Sequence, residues 1–339
     1  MVVAAVSTAA AAGRGYVPGF GYAPSFDPFS FTPSVAASPA VGASPSPVVA
    51  GNFMFKTFDV PGALATIVNG INNFGVMDGA YCDATNCYGF IAAGNHIITV
   101  SPNGDYAALL SINDAGTAAG WYIDPSGITH GLVRSLSGAI KTIDYPNADS
   151  TLALGINDWG VVSGYYLANC SSASGCDVHG FTYQNGWFTT IDVPGSAGAT
   201  EVFGINNLGV TSGLLFNGSG EHGFFGSPNR GFTTFDGAGE IAGDNGGTFP
   251  GGINDWGAVV GHSNGFQNYG IFAGWELRNG QMVTISDPLA NTTLNPAWGP
   301  NCGCFGGTAP SGIHDAGAVV GAYLDNNETQ HGFIATPKR

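Results

Sequence analysis

One phrase returns six times along the chain: Gly-Ile-Asn or a near variant, two turn residues, a glycine, then an apolar run. Its isoleucines are Ile71, Ile112, Ile156, Ile205, Ile253 and Ile313, so the intervals are 41, 44, 49, 48 and 60 residues. A period of this size is that of a four-stranded propeller blade, a unit that buries its apolar face only by stacking on its neighbours. Few other architectures accommodate such a repeat.

Each copy reads as four strands. The first runs from a threonine to the isoleucine, with Thr66, Thr151, Thr200, Thr248 and Thr308 in one register and only the second copy, "AALLSIN", departing. A tip such as Asn157-Asp158-Trp159-Gly160 suits a tight hairpin, because Asn and Asp bond their own backbone and Gly accepts positive φ. The alternating, β-branched "VVSGYY" follows as a second strand. The third opens on His-Gly-Phe or a relative: Tyr88-Gly89-Phe90, His130-Gly131-Leu132, His179-Gly180-Phe181, His222-Gly223-Phe224, Tyr269-Gly270-Ile271 and His331-Gly332-Phe333. The fourth ends in Thr-Ile-Asp-x-Pro, where proline stops the ladder. The sixth copy ends at "HGFIATPKR" without a fourth strand, whereas "FKTFDVPG" at 55–62 precedes the first copy and has no first three strands of its own. Pairing the two satisfies both exposed edges. The expectation is therefore an all-β, six-bladed β-propeller of four-stranded blades over residues 52–339. Strand 55–59 would close it by pairing with the last blade.

The phrase "GIN-D-x-G-x-V-V-G … HGF … TIDVPG" resembles the HAF-type extracellular repeat family of bacterial proteins, over residues 54–336. The resemblance implies an extracellular, propeller-like protein and no shared catalytic residues. Ser111, His314 and the two tyrosines in place of histidine depart from the pattern.

Residues 1–51 are rich in Ala, Pro, Gly and Ser, open on a leader-like "MVVAAVSTAAAAG", and cannot build a core alone. Their aromatics Tyr16, Phe20, Tyr22, Phe26, Phe29 and Phe31 are expected to lie against a propeller, preferably that of a second copy. With 8 basic against 23 acidic residues and a net charge of −15, the chain lacks the basic footprint that nucleic acid or an anionic membrane requires. No stretch reaches the ~18 apolar residues of a membrane span. Six cysteines fall in local pairs, Cys82/Cys87, Cys170/Cys176 and Cys302/Cys304. The first two have poor zinc spacing and read as disulfides, which implies an oxidising, extracellular or cell-surface setting.

Several residues carry chemistry. The third tip residues Phe74, Trp159, Leu208 and Trp256, with Ala115 and Ala316, would ring one face of a disc and either cover the next blade or bind a sugar or another subunit. Repeated His130, His179, His222 and His331 read as strand ties, and Asp59, Asp144, Asp192 and Asp236 as turn caps. Asp236, Glu240 and Asp244 are the candidate Ca²⁺ ligands of a Gly-rich loop without standard calcium spacing; no other cofactor is implied. "GHSNG" at 261–265 matches a nucleophile elbow but no helix follows it. No catalytic residue is assigned. Three classes remain: a secreted assembly or interaction protein forming homo-oligomers or filaments through its tail, a glycan-binding propeller, and a polysaccharide-degrading enzyme. The composition favours the first.

Overall fold

Alternation of apolar residues in short runs, broken by Asn-x-x-Gly tips, is realised as antiparallel hairpins throughout the computed structural model. It describes residues 48–171, 175–218, 220–238, 247–264, 271–293 and 306–338. An N-terminal pair, β1 (Val48–Ala50) and β2 (Phe53–Phe58), is followed by six units. The first holds β3 (Ala65–Ile71), β4 (Met77–Cys82), β5 (Cys87–Ala93) and β6 (His96–Val100). The second holds β7 (Tyr106–Ile112), β8 (Ala118–Ile123), β9 (Thr129–Arg134) and β10 (Ile140–Ile143). The third holds β11 (Ser150–Ile156), β12 (Val162–Ser171), β13 (Gly175–Gln184) and β14 (Trp187–Ile191). The fourth holds β15 (Ala199–Ile205), β16 (Thr211–Phe216), β17 (Glu221–Ser227) and β18 (Gly231–Phe235). The fifth holds β19 (Gly247–Ile253), β20 (Val259–Asn264), β21 (Ile271–Arg278) and β22 (Gln281–Ile285). The last holds β23 (Gly306–Ile313), β24 (Val319–Leu324) and β25 (Gln330–Pro337).

The last strand of the chain pairs with one from its other end. β2 pairs antiparallel with β25 from Phe53↔Pro337 to Phe58↔Gly332. Val48–Ala50, which the sequence assigns to the tail, adds a short further strand against β2, with Ala50 opposite Phe53. The architecture is a β-propeller.

Two motif elements prove to be one packing device. The glycine of each second strand lies directly opposite the large residue of the third: Gly79↔Phe90, Gly164↔Phe181, Gly213↔Phe224 and Gly321↔Phe333. A Cβ at Gly164 would stand 2.9 Å from the Phe181 ring and 2.0 Å from the Leu152 carbonyl oxygen. Glycine is thus required so that the ring can lie flat on the neighbouring strand, and Phe90, Phe181, Phe224 and Phe333 are all 0% exposed. The same pairing corrects the alignment of the fifth copy. Gly261 faces Trp275, and Gly274 faces Ile285 as Gly180 faces Ile191. Its His-Gly-Phe counterpart is therefore Ala273-Gly274-Trp275, not Tyr269-Gly270-Ile271. The sequence match was displaced by four residues because Trp275, not a phenylalanine, fills the space over Gly261.

The recurrent threonine also has a specific task. Thr66, Thr151, Thr200, Thr248 and Thr308 each accept, through Oγ1, the backbone N–H of Val60, Tyr145, Val193, Gly237 and Asp287. Those amides follow the fourth strand of the preceding unit, where no ladder partner continues, so the hydroxyl stops them being buried unsatisfied. Disulfides join Cys82 to Cys87 and Cys170 to Cys176, each across the end of a second-to-third-strand hairpin. Cys302 and Cys304 lie outside the described residues.

Candidate functional site

The Asn-x-x-Gly tips generate the most organised polar feature of the molecule. In each tip the glycine has positive φ, from 71° at Gly160 to 85° at Gly317, a conformation L side chains resist. Asn157 is representative: its Oδ1 accepts the N–H of Trp159 and of Val161, which fixes its own turn. Its Nδ2 donates to the carbonyl of Asn206 in the next unit, 3.0 Å away. Asn72, Asn113, Asn206 and Asn254 donate likewise to Asn113, Asn157, Asn254 and His314. At the sixth tip His314 takes over the turn through Nδ1, which accepts Ala318 N–H.

The second tip residues form a cycle. Backbone N–H groups donate from Asn73 to Asp114, Asp114 to Asp158, Asp158 to Asn207, Asn207 to Asp255, Asp255 to Asp315, and Asp315 back to Asn73, at 2.8–2.9 Å. Each asparagine sits between two aspartates. Asn73 Nδ2 donates to Asp114 and Asp315, and Asn207 Nδ2 to Asp158 and Asp255. The amides thereby separate four carboxylates into two pairs and relieve part of their repulsion. This rosette, with the six repeat isoleucines, lines a shallow recess.

Around it stand the third tip residues. Phe74, Trp159, Leu208 and Trp256 are 76%, 71%, 60% and 77% exposed, so they do not cover the neighbouring unit. Trp159 is nevertheless held: its Nε1–H donates to the Asn207 carbonyl at 3.1 Å. Two residues that sequence reasoning missed join this collar, Leu136 and Trp187, also highly exposed. Leu136 sits on a third-to-fourth-strand turn and Trp187 opens the strand after one, both at the same end. Gln184 Nε2 donates to the Trp159 carbonyl, and Leu136 packs over Gly116. The available signal was a large apolar residue in a turn flanked by glycine, as in "QNGW".

At the other end of the strands the histidines and aspartates of the repeat find each other. His130, His179, His222 and His331 donate from Nδ1 to Asp144, Asp192, Asp236 and Asp59, at 3.0, 2.8, 2.6 and 2.9 Å. Tyrosines 122, 166 and 323 stack on three of the rings. The aspartates expected as turn caps thus act as acceptors for the third-strand histidine. With the corrected alignment, both partners are replaced together in the two remaining units: Tyr88 with Ser101, and Ala273 with Ser286. The pair is a structural tie rather than a set of separate functional groups.

His331 gives this tie a pH dependence. Burial opposes its protonation, but the hydrogen bond and charge of Asp59, with Asp325 3.6 Å from Nε2, outweigh it and raise its pKa above the ordinary 6.5. A raised folded-state value means the folded protein binds the proton more tightly. The stabilisation is complete below about pH 6.5 and is lost as pH rises through the higher folded value. The melting temperature should therefore fall on going from pH 6 towards alkaline pH, and His331→Asn should flatten that part of the profile; a slope unchanged by His331→Asn would refute the assignment.

Asp236 is engaged by His222, Glu240 and Asp244 lie outside the described residues, and no metal-holding cluster of three His, Cys, Asp or Glu exists among those described. Ser263 is buried within β20 and its hydroxyl donates to the Ala238 carbonyl, which removes the elbow reading. Tyr16, Phe20, Tyr22, Phe26, Phe29 and Phe31 are outside the described residues. No described helix is long and apolar enough to cross a membrane.

No family model and no curated protein matches this chain. Several solved structures are similar. The streptogramin B lyase structure is 10% identical, with a TM-score of 0.47, covering 84% of this chain and 97% of its own. A fucose-specific lectin from Aleuria aurantia is 12% identical, with a TM-score of 0.48, covering 81% and 92%. The β-propeller domain of the Trilobed protease from Pyrococcus furiosus is 8% identical, with a TM-score of 0.40, covering 86% and 92%. Identities this low leave the activity to be read from this chain's own residues.

Proposed function

We propose that the chain is an extracellular, six-bladed propeller, closed by β2 on β25, that binds a neutral saccharide chain on its rosette face. Six units and closure are supported by the hydrogen-bond cycle, which visits six tips and returns to Asn73. The two disulfides support an oxidising location.

The observation that carries the binding reading is the collar itself. Exposed Phe74, Trp159, Leu208 and Trp256 each directly follow a rosette residue whose carboxylate or amide lines one recess. Sugar rings present apolar C–H faces and peripheral hydroxyls, so they need flat apolar platforms beside hydrogen-bond acceptors. A protein partner would instead favour one contiguous apolar patch. Four carboxylates at the recess disfavour polyanions such as uronate polymers. Neutral polymers are therefore the expected ligands. A glycan array of neutral and uronate-containing polysaccharides tests this: capture of neutral polymers alone is the expected result. Capture of none, or of the anionic ones preferentially, would overturn the reading.

A further inference from the structure

Three of the His–Asp ties join a strand to the segment just after the next strand in sequence: His130 to Asp144, His179 to Asp192 and His222 to Asp236. The tie at His331 instead joins the two ends of the chain. Asp59 directly follows β2, and β2 runs along β25, which carries His331. The hold of the N-terminal strand is thereby coupled to one imidazole.

The surroundings of that imidazole are also more acidic. Its Nδ1 donates to Asp59 at 2.9 Å, and Asp325 lies 3.6 Å from Nε2, as Asp124 does from His130 Nε2. A third carboxylate has no counterpart in the other ties. Asp287 stands where Val60, Tyr145, Val193 and Gly237 offer their amides to the repeat threonine elsewhere. It is 2% exposed. Burial pushes its carboxyl above the ordinary carboxylate range, while the Leu289 N–H and the charge of His331 pull it back. Tyr323, stacked on the imidazole with centroids 5.2 Å apart, bonds Thr57 of β2 through its hydroxyl, and burial keeps that hydroxyl protonated. Among the described residues no lysine or arginine pairs with Asp59, Asp287 or Asp325. Protonated His331 therefore supplies the positive charge facing all three. Once it is neutral, a buried carboxylate and two neighbours repel one another across the joint.

We propose that His331 is a proton-operated latch on the N-terminal strand: charged, it offsets Asp59, Asp287 and Asp325 and holds β2 on β25, and neutral, it lets β2 open locally more often while the other units stay folded. The latch is complete below about pH 6.5 and weakens as pH rises through the higher folded-state value of His331. It places the pH dependence in one strand pair rather than in the whole fold, and it does not depend on the saccharide reading.

Hydrogen–deuterium exchange of the full chain at pH 6 and pH 9, with rates corrected for the intrinsic pH dependence of exchange, tests the latch. Protection of the β2 amides should fall at least about threefold. That of β6 should stay the same, since Tyr88 and Ser101 replace the pair in its unit. His331→Asn keeps a donor for Asp59 but cannot titrate, so it should abolish the fall. Asp287→Asn removes the buried carboxylate and should reduce it. An equal fall in β2 and β6 would mean that the whole molecule loosens, and would overturn the proposal. So would constant β2 protection across the range, a comparison that needs no variant, or a fall undiminished in folded His331→Asn or Asp287→Asn protein.

Discussion

Deleting residues 48–58 is expected to unfold the protein rather than weaken it slightly. The segment pairs along six residues of β25. Its Phe53 and Phe55 are only 4% and 3% exposed, packed with Phe333, Ile313 and Tyr323. Thr57 Oγ1 bonds the Tyr323 hydroxyl at 2.9 Å, and Asp59, immediately after it, holds His331. Losing one buried phenylalanine costs about 3–5 kcal/mol; losing two, with a row of unpaired β25 backbone groups, reaches the ~5–15 kcal/mol total stability of a typical domain. The deletion should therefore lose its cooperative thermal transition and aggregate through the open edge. Phe55→Ala alone should retain the fold with stability lowered by about 3–5 kcal/mol. A deletion variant that melts cooperatively within a few degrees of the full chain would show that β2 is dispensable.

Replacing Trp159 and Trp256 together by alanine should affect binding and almost nothing else. Both are largely exposed, so their removal creates no cavity, and surface changes of this kind stay within about 0.5 kcal/mol of stability. Against a saccharide the cost is larger. Two aromatic platforms at about 1–2 kcal/mol each give a combined loss of roughly thirty- to a thousandfold in affinity. The single changes should differ. Trp159 is oriented by its bond to the Asn207 carbonyl, so Trp159→Phe should lose that orientation and part of the affinity while keeping a ring. Calorimetry against a polysaccharide captured on the array measures both variants.

How much of this was legible in the sequence follows from which positions repeat. The second-strand glycine and the positive-φ tip glycine recur at fixed offsets from the isoleucine, so unit length, strand count and hairpin tips can be read directly. The fifth copy failed where a different residue does the same physical work: Trp275 fills the space over Gly261, and a Tyr-Gly-Ile four residues early imitated the missing motif. The hydrogen-bond cycle was not legible, because its partners are 41 to 60 residues apart, except for the closing bond, which spans 242. Each tip explains itself locally as a turn. Only the hydrogen bonds between successive units reveal that the same asparagine serves its own turn and the next. A cavity between the first strands was hidden for the opposite reason. Within it, Asn69, Gly251 and Ser311 stand where other copies carry Leu110, Leu154 and Phe203, and a search for repetition discards such differences.

Hydroxyl-radical footprinting with and without the captured polysaccharide tests the central claim most directly, since it reads the rosette face residue by residue in the native chain. Phe74, Trp159, Leu208 and Trp256 start exposed and should lose most of their oxidation when the polymer is bound. Met54, exposed on the outer strand β2, should oxidise at the same rate in both samples. Unchanged oxidation of Trp159 and Trp256 on bound protein, with protection elsewhere, would contradict the account.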